Sequence, residues 1–172
     1  MTKTHTTPER RATCGALAPD FTLADATRPA GSPLVRLRAW RQRAPILLAL
    51  LPSPDVARNA AWLLALAGRA DDLAIYGVVT LALTRETAAR RLLGAVDVAF
   101  PLLMDGDGAA LTAYLGAEAA LPALAVIDRY SSLVALLPAH SPDDPPDLDM
   151  ALRELAYADQ QDCACALPAW ED

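Results

Sequence analysis

Cysteine offers the most reactive side chain in this sequence, and there are three: Cys14, Cys163 and Cys165. The last two form the segment Cys163-Ala164-Cys165. Two thiols at that spacing join only in a bent chain, which strains the disulfide and raises its reduction potential, as suits an exchangeable pair. Against this, the segment follows a predicted helix whose negative C-terminal dipole, together with Asp162, raises the thiol pKa values and slows attack. Three readings stay open: a catalytic redox pair at Cys163 and Cys165, a clasp in which Trp170 pins the tail onto the body, or two cysteines with no task. A zinc site would need two more ligands beside these thiolates. Cys14, His5 and His140 stand at no metal spacing, so no metal and no cofactor is expected. Asp105-Gly106-Asp107-Gly108 starts like a calcium loop but lacks its distal Glu and reads as a turn that caps a helix. Cys14, beside Gly15 in a mobile segment, reads as an incidental thiol, and His140, in a Pro-rich loop, as a solvent-facing side chain.

The stretch that could position chemistry is Pro45 to Leu66. Ile46 to Leu51 is an unbroken apolar strand, Pro52-Ser53-Pro54 a tight turn, and the residues after it a helix with Val56, Ala60, Leu63, Leu64 and Ala67 on one face. Ser53 suits the N-cap, with Pro54 and Asp55 in the first turn. The first-turn amides and dipole of such a unit can hold an anion or lower the pKa of a cysteine. This one contains no cysteine.

The remaining composition narrows the classes. At 172 residues the chain is one domain's worth, long enough for helices on both faces of a sheet. Its 53% hydrophobic and 21% charged residues are those of a globular protein, which excludes disorder through the middle of the chain. A net charge of -6 argues against a nucleic-acid partner or an anionic-membrane surface. The local exception, Arg36, Arg38, Arg41 and Arg43, alternates with Val35, Leu37 and Trp40 and reads as a solvated strand edge or turn. The polar N-terminus has no apolar h-region, and the apolar runs Ile46–Leu51 and Leu73–Leu83 are far short of the ~20 residues that span a bilayer. The expectation is a cytoplasmic protein with free thiols.

In chain order, residues 1–13 read as a loose arm. Gly15 to Leu23 forms a strand with Leu17, Phe21 and Leu23 inward, and Leu34 to Leu37 pairs with it as an N-terminal hairpin. After the Pro45–Leu66 unit, Leu73–Leu83 lacks alternation, as expected of a parallel strand covered on both faces. Thr84 caps a helix to about Leu93. Phe100 to Leu103 is extended, and the Asp-Gly turn leads into a small helix through Leu111, Tyr114 and Leu115 that Gly116 closes. Ala123 to Ile127 and Leu133 to Leu137 form an antiparallel hairpin about Asp128–Ser132. A Pro- and Asp-rich loop, 138–147, precedes a final helix that buries Leu148, Leu152 and Leu155.

That order fits a thioredoxin-type fold, and the sequence resembles the peroxiredoxin family, also called the alkyl hydroperoxide reductase and thiol-specific antioxidant family. The resemblance runs from about Gly15 to Leu155. Its carriers are Gly15-x-x-Ala18-Pro19-Asp20-Phe21-Thr22-Leu23, the apolar strand ending in Pro52, Phe100-Pro101-Leu102-Leu103-x-Asp105, and Val126-Ile127-Asp128 before a turn. It implies an α/β fold with a central mixed sheet flanked by helices, an N-terminal β-hairpin extension, a domain over 14–160 and a Cys-x-Cys tail over 161–172. It further implies antioxidant or oxidoreductase activity on thiols or peroxides, a thiol reductant as partner, and a homodimer.

In that family the strand-to-helix turn reads Pro-x-x-x-Thr-x-x-Cys, and the Cys is the peroxidatic nucleophile. Counted from Pro52, the Thr position holds Val56 and the Cys position holds Asn59. A carboxamide cannot form a thiolate or be oxidised to a sulfenic acid, and Asp55 disfavours a thiolate nearby. The active-site turn is therefore degenerate at Pro52, Asp55, Val56 and Asn59. The family's Arg before the third core strand is also missing: Ala119-Ala120-Leu121-Pro122 stands there, and Arg129 lies beyond the strand. Pro122 occupies the place where many thioredoxin-fold proteins carry a cis proline; a plain strand-start proline is the other reading. Two functions follow: a thiol oxidoreductase acting through Cys163 and Cys165, or a non-catalytic thioredoxin-fold binding or scaffold protein.

Overall fold

The computed structural model describes residues 12–165, with side chains as far as Ala158. His5, Trp170 and most of the expected N-terminal arm lie outside the described residues. The strands are β1 (Thr22–Asp25), β2 (Val35–Arg36), β3 (Ile46–Leu51), β4 (Val79–Arg85), β5 (Leu102–Asp105), β6 (Ala123–Ile127) and β7 (Leu133–Pro138). The helices are α1 (Val56–Ala67), α2 (Ala70–Ile75), α3 (Glu86–Leu92), α4 (Ala109–Leu115) and α5 (Leu148–Cys165).

All seven strands belong to one sheet in the order β2-β1-β5-β4-β3-β6-β7. β3, β4 and β5 run parallel, and the β1–β2, β1–β5, β3–β6 and β6–β7 pairs are antiparallel, so the sheet is mixed as expected. β3 sits between β4 and β6, and every residue of its apolar run is buried. Successive side chains of a strand point to opposite faces. Leu47, Ala49 and Leu51 accordingly pack with Trp62 and Leu66 of α1 and Leu155 of α5, whereas Ile46, Leu48 and Leu50 pack with Phe21, Leu111 and Tyr114. The α4 turn and the β6–β7 hairpin form where the sequence predicts them, whereas the N-terminal hairpin pairs Thr22–Asp25 with Val35–Arg36, so its first strand is not the expected Gly15 to Leu23.

Four further features differ from the expectation. Leu73 belongs to α2, which has Asp71 and Asp72 in its first turn, and Gly77 at φ 60° turns the chain into β4 only at Val79. Thr84 remains in β4 instead of capping α3, because its hydroxyl donates to Leu51 O of β3 at 2.9 Å. α5 continues through Cys165, so positions 161–165 are helix and not tail. Leu17, expected inward, is 66% exposed, although its segment bridges to Ser132 and bonds through Gly15 N to Leu133 O and Ala18 N to Ser131 O, each at 2.8 Å.

Tyr114 of α4 lies fully buried and its hydroxyl donates to Pro19 O at 2.9 Å, tying α4 to the N-terminal segment. Burial pushes the phenol well above its ordinary range, with the nearby Asp20 acting in the same direction. An unfolded tyrosine titrates near ~10. Because the folded value is the higher one, this contribution to stability is intact below pH ~10 and is lost as pH rises beyond it. We expect the urea midpoint to fall between pH 9.5 and 11 by less in Tyr114→Phe than in the wild type, at a cost near ~1 kcal/mol at pH 7 for the lost hydrogen bond. Equal alkaline losses in both proteins would show that another group is responsible.

Candidate functional site

The Pro52–Asn59 turn is built at the C-terminal end of β3, the position at which open α/β sheets present ligand-binding loops. Pro52 and Ser53 are half-buried, Asp55 is exposed, Val56 is partly buried and Asn59 is 1% exposed. Ser53 does not cap the helix. Its Oγ accepts from Asp55 N at 3.2 Å, which closes a local turn, and Asp55 becomes the N-cap, accepting from Arg58 N at 3.1 Å.

Asn59 Nδ2 donates to Ser53 O at 2.9 Å, so a side chain from the helix reaches back to hold the turn that precedes it. This bond also accounts for the rotation of α1. Its buried residues are Asn59, Trp62, Leu63 and Leu66, while Leu64, expected inward, is 52% exposed. The sequence VARNAAWLLALA is apolar nearly all round, so apolar spacing alone could not choose the face; the tethered Asn59 and the bulk of Trp62 do.

The helix start already carries an anion of its own on one first-turn amide. Asp55 places a carboxylate on a first-turn amide, and Arg58 Nη2 lies 3.8 Å from that carboxylate and 3.0 Å from Asp143 Oδ1. Arg58 thereby links the turn to the Pro- and Asp-rich loop that follows β7. Sequence reasoning missed both Arg58 and Thr84 as parts of this region. Arg58 pairs with a residue remote in sequence, which leaves no local signal, whereas a lone hydroxyl at the end of an apolar run could have suggested that Thr84 was bonded across the sheet.

Pro122 is buried at the same end of the sheet, immediately before Ala123, which pairs with Leu50. No cis peptide bond occurs among the described residues, so the cis-proline expectation is corrected to the strand-start reading. The missing N–H costs nothing at that position, and the Pro122 carbonyl accepts from Ala139 N at 2.8 Å.

The cysteines are not brought to this turn by any contact within the described residues. Cys14 is exposed and free. Its neighbour Gly15 donates to Leu133 O, and Leu133 pairs with Ile127, which in turn pairs with Ile46 at the start of β3. Cys14 is therefore anchored at the opposite end of β3 from Pro52, about 17 Å away along a strand of that length. Cys163 and Cys165 fall in the helical backbone of α5, and their side chains lie outside the described residues. Positions two apart on an α-helix do not face one another, so a Cys163–Cys165 disulfide requires the end of α5 to unwind.

The Asp105–Gly108 turn caps a helix, as expected. Asp105 is fully buried and accepts from Leu111 N at 2.8 Å, while Asp107 accepts from Ala109 N at 3.0 Å. The Ala109 N–H holds the Asp107 carboxyl below the usual carboxylate range. Among the described residues no group of three His, Cys, Asp or Glu side chains could hold a metal ion. Nor, among them, is any helix long and apolar enough to cross a membrane.

No protein-family model matches the sequence, and no curated protein matches it. Solved structures do resemble it. The reduced 2-Cys peroxiredoxin of Plasmodium vivax superposes with a TM-score of 0.74 at 18% identity, covering 92% of this chain and 89% of that one. The peroxidoxin BcpB of Mycobacterium tuberculosis gives 0.69 at 18% identity, over 86% of this chain and 98% of that one. The mitochondrial 2-Cys peroxiredoxin of Plasmodium falciparum gives 0.70 at 14% identity, over 91% and 99%. At these identities the likeness establishes the fold.

Proposed function

We propose that this chain, folded as the peroxiredoxins are, works as a binding or scaffold protein and performs no thiol-peroxidase step at its Pro52–Asn59 turn. The observation that carries this reading is the buried Asn59 carboxamide donating to Ser53 O where the resemblance would place a sulfur nucleophile. A peroxidatic site needs a thiolate, an unoccupied set of first-turn amides to receive the peroxide, and a cation to steady the charge. Here the first is replaced by an amide. Of the second, the Arg58 N–H is occupied by the Asp55 carboxylate, and the Arg58 guanidinium, the adjacent cation, is engaged by Asp55 and Asp143.

The second reading is a thiol–disulfide oxidoreductase acting through Cys163 and Cys165, carried by their Cys-x-Cys spacing. Hydrogen peroxide consumption with dithiothreitol, measured beside reduction of insulin disulfides, separates the two. We expect wild type to consume peroxide no faster than the triple variant Cys14→Ser, Cys163→Ser, Cys165→Ser, and neither to exceed the reagent blank. Peroxide turnover that the triple variant lacks would overturn the proposal. Insulin reduction lost in Cys163→Ser, Cys165→Ser would favour the second reading. A homodimer in the cytoplasm belongs to this proposal on the strength of the family resemblance, with light scattering of the purified chain as the check on assembly.

A further inference from the structure

A second site lies on the other half of the sheet and shares no residue with the Pro52–Asn59 turn. It is a cavity of about 200 Å³ between the β1–β2 connection, β5 and α3, lined by Asp25, Arg28, Ser32, Arg90, Leu93 and Met104 among others. Its floor holds a carboxylate: the Asp25 side chain is 1% exposed, and its Oδ1 accepts from Thr27 N, Thr27 Oγ1 and Leu102 N at 2.9, 2.7 and 3.2 Å. Asp25 Oδ2 accepts no hydrogen bond and meets Arg28 Nε at 3.2 Å, an ion contact without hydrogen-bond alignment.

Two guanidinium groups are thus steadied from behind by carboxylates. Arg28 turns Nε to Asp25, and Arg90 turns Nε and Nη2 to Glu86 Oε1 at 3.2 and 2.7 Å. The two Nη groups of Arg28 and the Nη1 of Arg90 have no partner among the described residues, although each guanidinium carries five donors in a fixed fork. Asp25 offsets Arg28 and Glu86 offsets Arg90, so what the site offers an anion is the outer donors of two held guanidinium forks, not an excess of charge. Leu93 and Met104 add apolar side chains to the same lining. A concave, partly apolar site with a few held polar groups is the usual form of a small-molecule pocket.

We propose that this cavity binds a small organic carboxylate, with the carboxylate on the outer donors of Arg28 and Arg90 and its apolar body against Leu93 and Met104. Arginine forks match a carboxylate in plane, and an apolar wall favours an organic anion over a bare inorganic one. Asp25 acts as the positioning residue for Arg28.

Calorimetric titration of the full chain with hexanoate tests this, beside hexanamide (the same chain without charge) and inorganic phosphate (the charge without the chain). Saturable hexanoate binding is expected, with hexanamide and phosphate each at least tenfold weaker. Arg28→Gln and Arg90→Gln should each weaken hexanoate about tenfold, the size of one charge-assisted hydrogen bond, while Arg153→Gln on α5 leaves it unchanged. Arg90 is 70% exposed, so its variant keeps the test decisive even if Arg28→Gln unsettles Asp25. Three results would each overturn the proposal: no saturable hexanoate binding, equal affinity for phosphate and hexanoate, or hexanoate affinity unaltered in Arg90→Gln.

Discussion

Asn59→Asp is expected to fold near pH 4.5 and to lose about 3 kcal/mol or more of its stability, relative to wild type, by pH 7.5. The site is 1% exposed, and the native amide donates to Ser53 O at 2.9 Å. A protonated carboxylic acid can replace that donation. A carboxylate cannot, and its charge would sit against the Ser53 carbonyl in a buried place one helical turn from the Asp55 carboxylate. The dipole at the start of α1 favours the anion by only about 0.3–1 kcal/mol, whereas burial can raise a carboxyl pKa by about 3 units or more. Burial therefore wins, and the folded pKa lies above the unfolded value of ~3.9. The stability tied to the protonated form is present below that value and is lost as pH rises through the folded pKa. Urea midpoints of variant and wild type at the two pH values provide the check. A deficit that is equal at both, or smaller at pH 7.5, would mean that the carboxylate reaches solvent and that the turn is looser than described.

Leu48→Ala is expected to cost about 2–5 kcal/mol, a large share of the ~5–15 kcal/mol that stabilises a typical domain. Leu48 is wholly buried on the central strand and pairs with Leu81 on one side and Ala125 on the other. Strands hydrogen-bonded on both edges are held too firmly to collapse around a missing side chain, so the cavity persists. Leu64→Ala, the same substitution at a residue 52% exposed on α1, should change stability by no more than about 0.5–1 kcal/mol. Chemical denaturation of the two variants gives the contrast directly. Similar losses would contradict the face of α1 described here, because the apolar pattern expected Leu64 to be buried.

The misassigned Leu64 shows why part of this fold was legible and part was not. β6 and the hairpin after it could be read because Pro122 and the Asp128–Ser132 turn punctuate an apolar run on both sides. α4 could be read from its Asp-Gly turn and the glycine at its end, Gly116, which takes φ 90°. Those signals are local. The face of α1, the start of β4 after Gly77 and the true cap at Asp55 depend on which partners arrive, and an apolar stretch without alternation does not encode that choice. Thr84 is instructive: hydroxyl residues favour helix caps, yet a carbonyl on the neighbouring strand claims this one.

The candidate site divides in the same way. That position 59 carries an amide, and that the Pro52–Asn59 turn holds no thiol, was fixed by residue identity alone, since no folding changes the elements a side chain contains. The two-sided burial of β3 was equally determined, because six successive apolar residues leave neither face fit for water. Only the tertiary structure decided that Asn59 ties back to Ser53, that Arg58 reaches Asp143, and that Cys14 is anchored at the far end of β3. It also brought Arg28 and Arg90, far apart in the chain, to one cavity. Each of these is a meeting of groups remote in sequence, and such meetings follow from sheet order and packing, which local residue patterns do not specify.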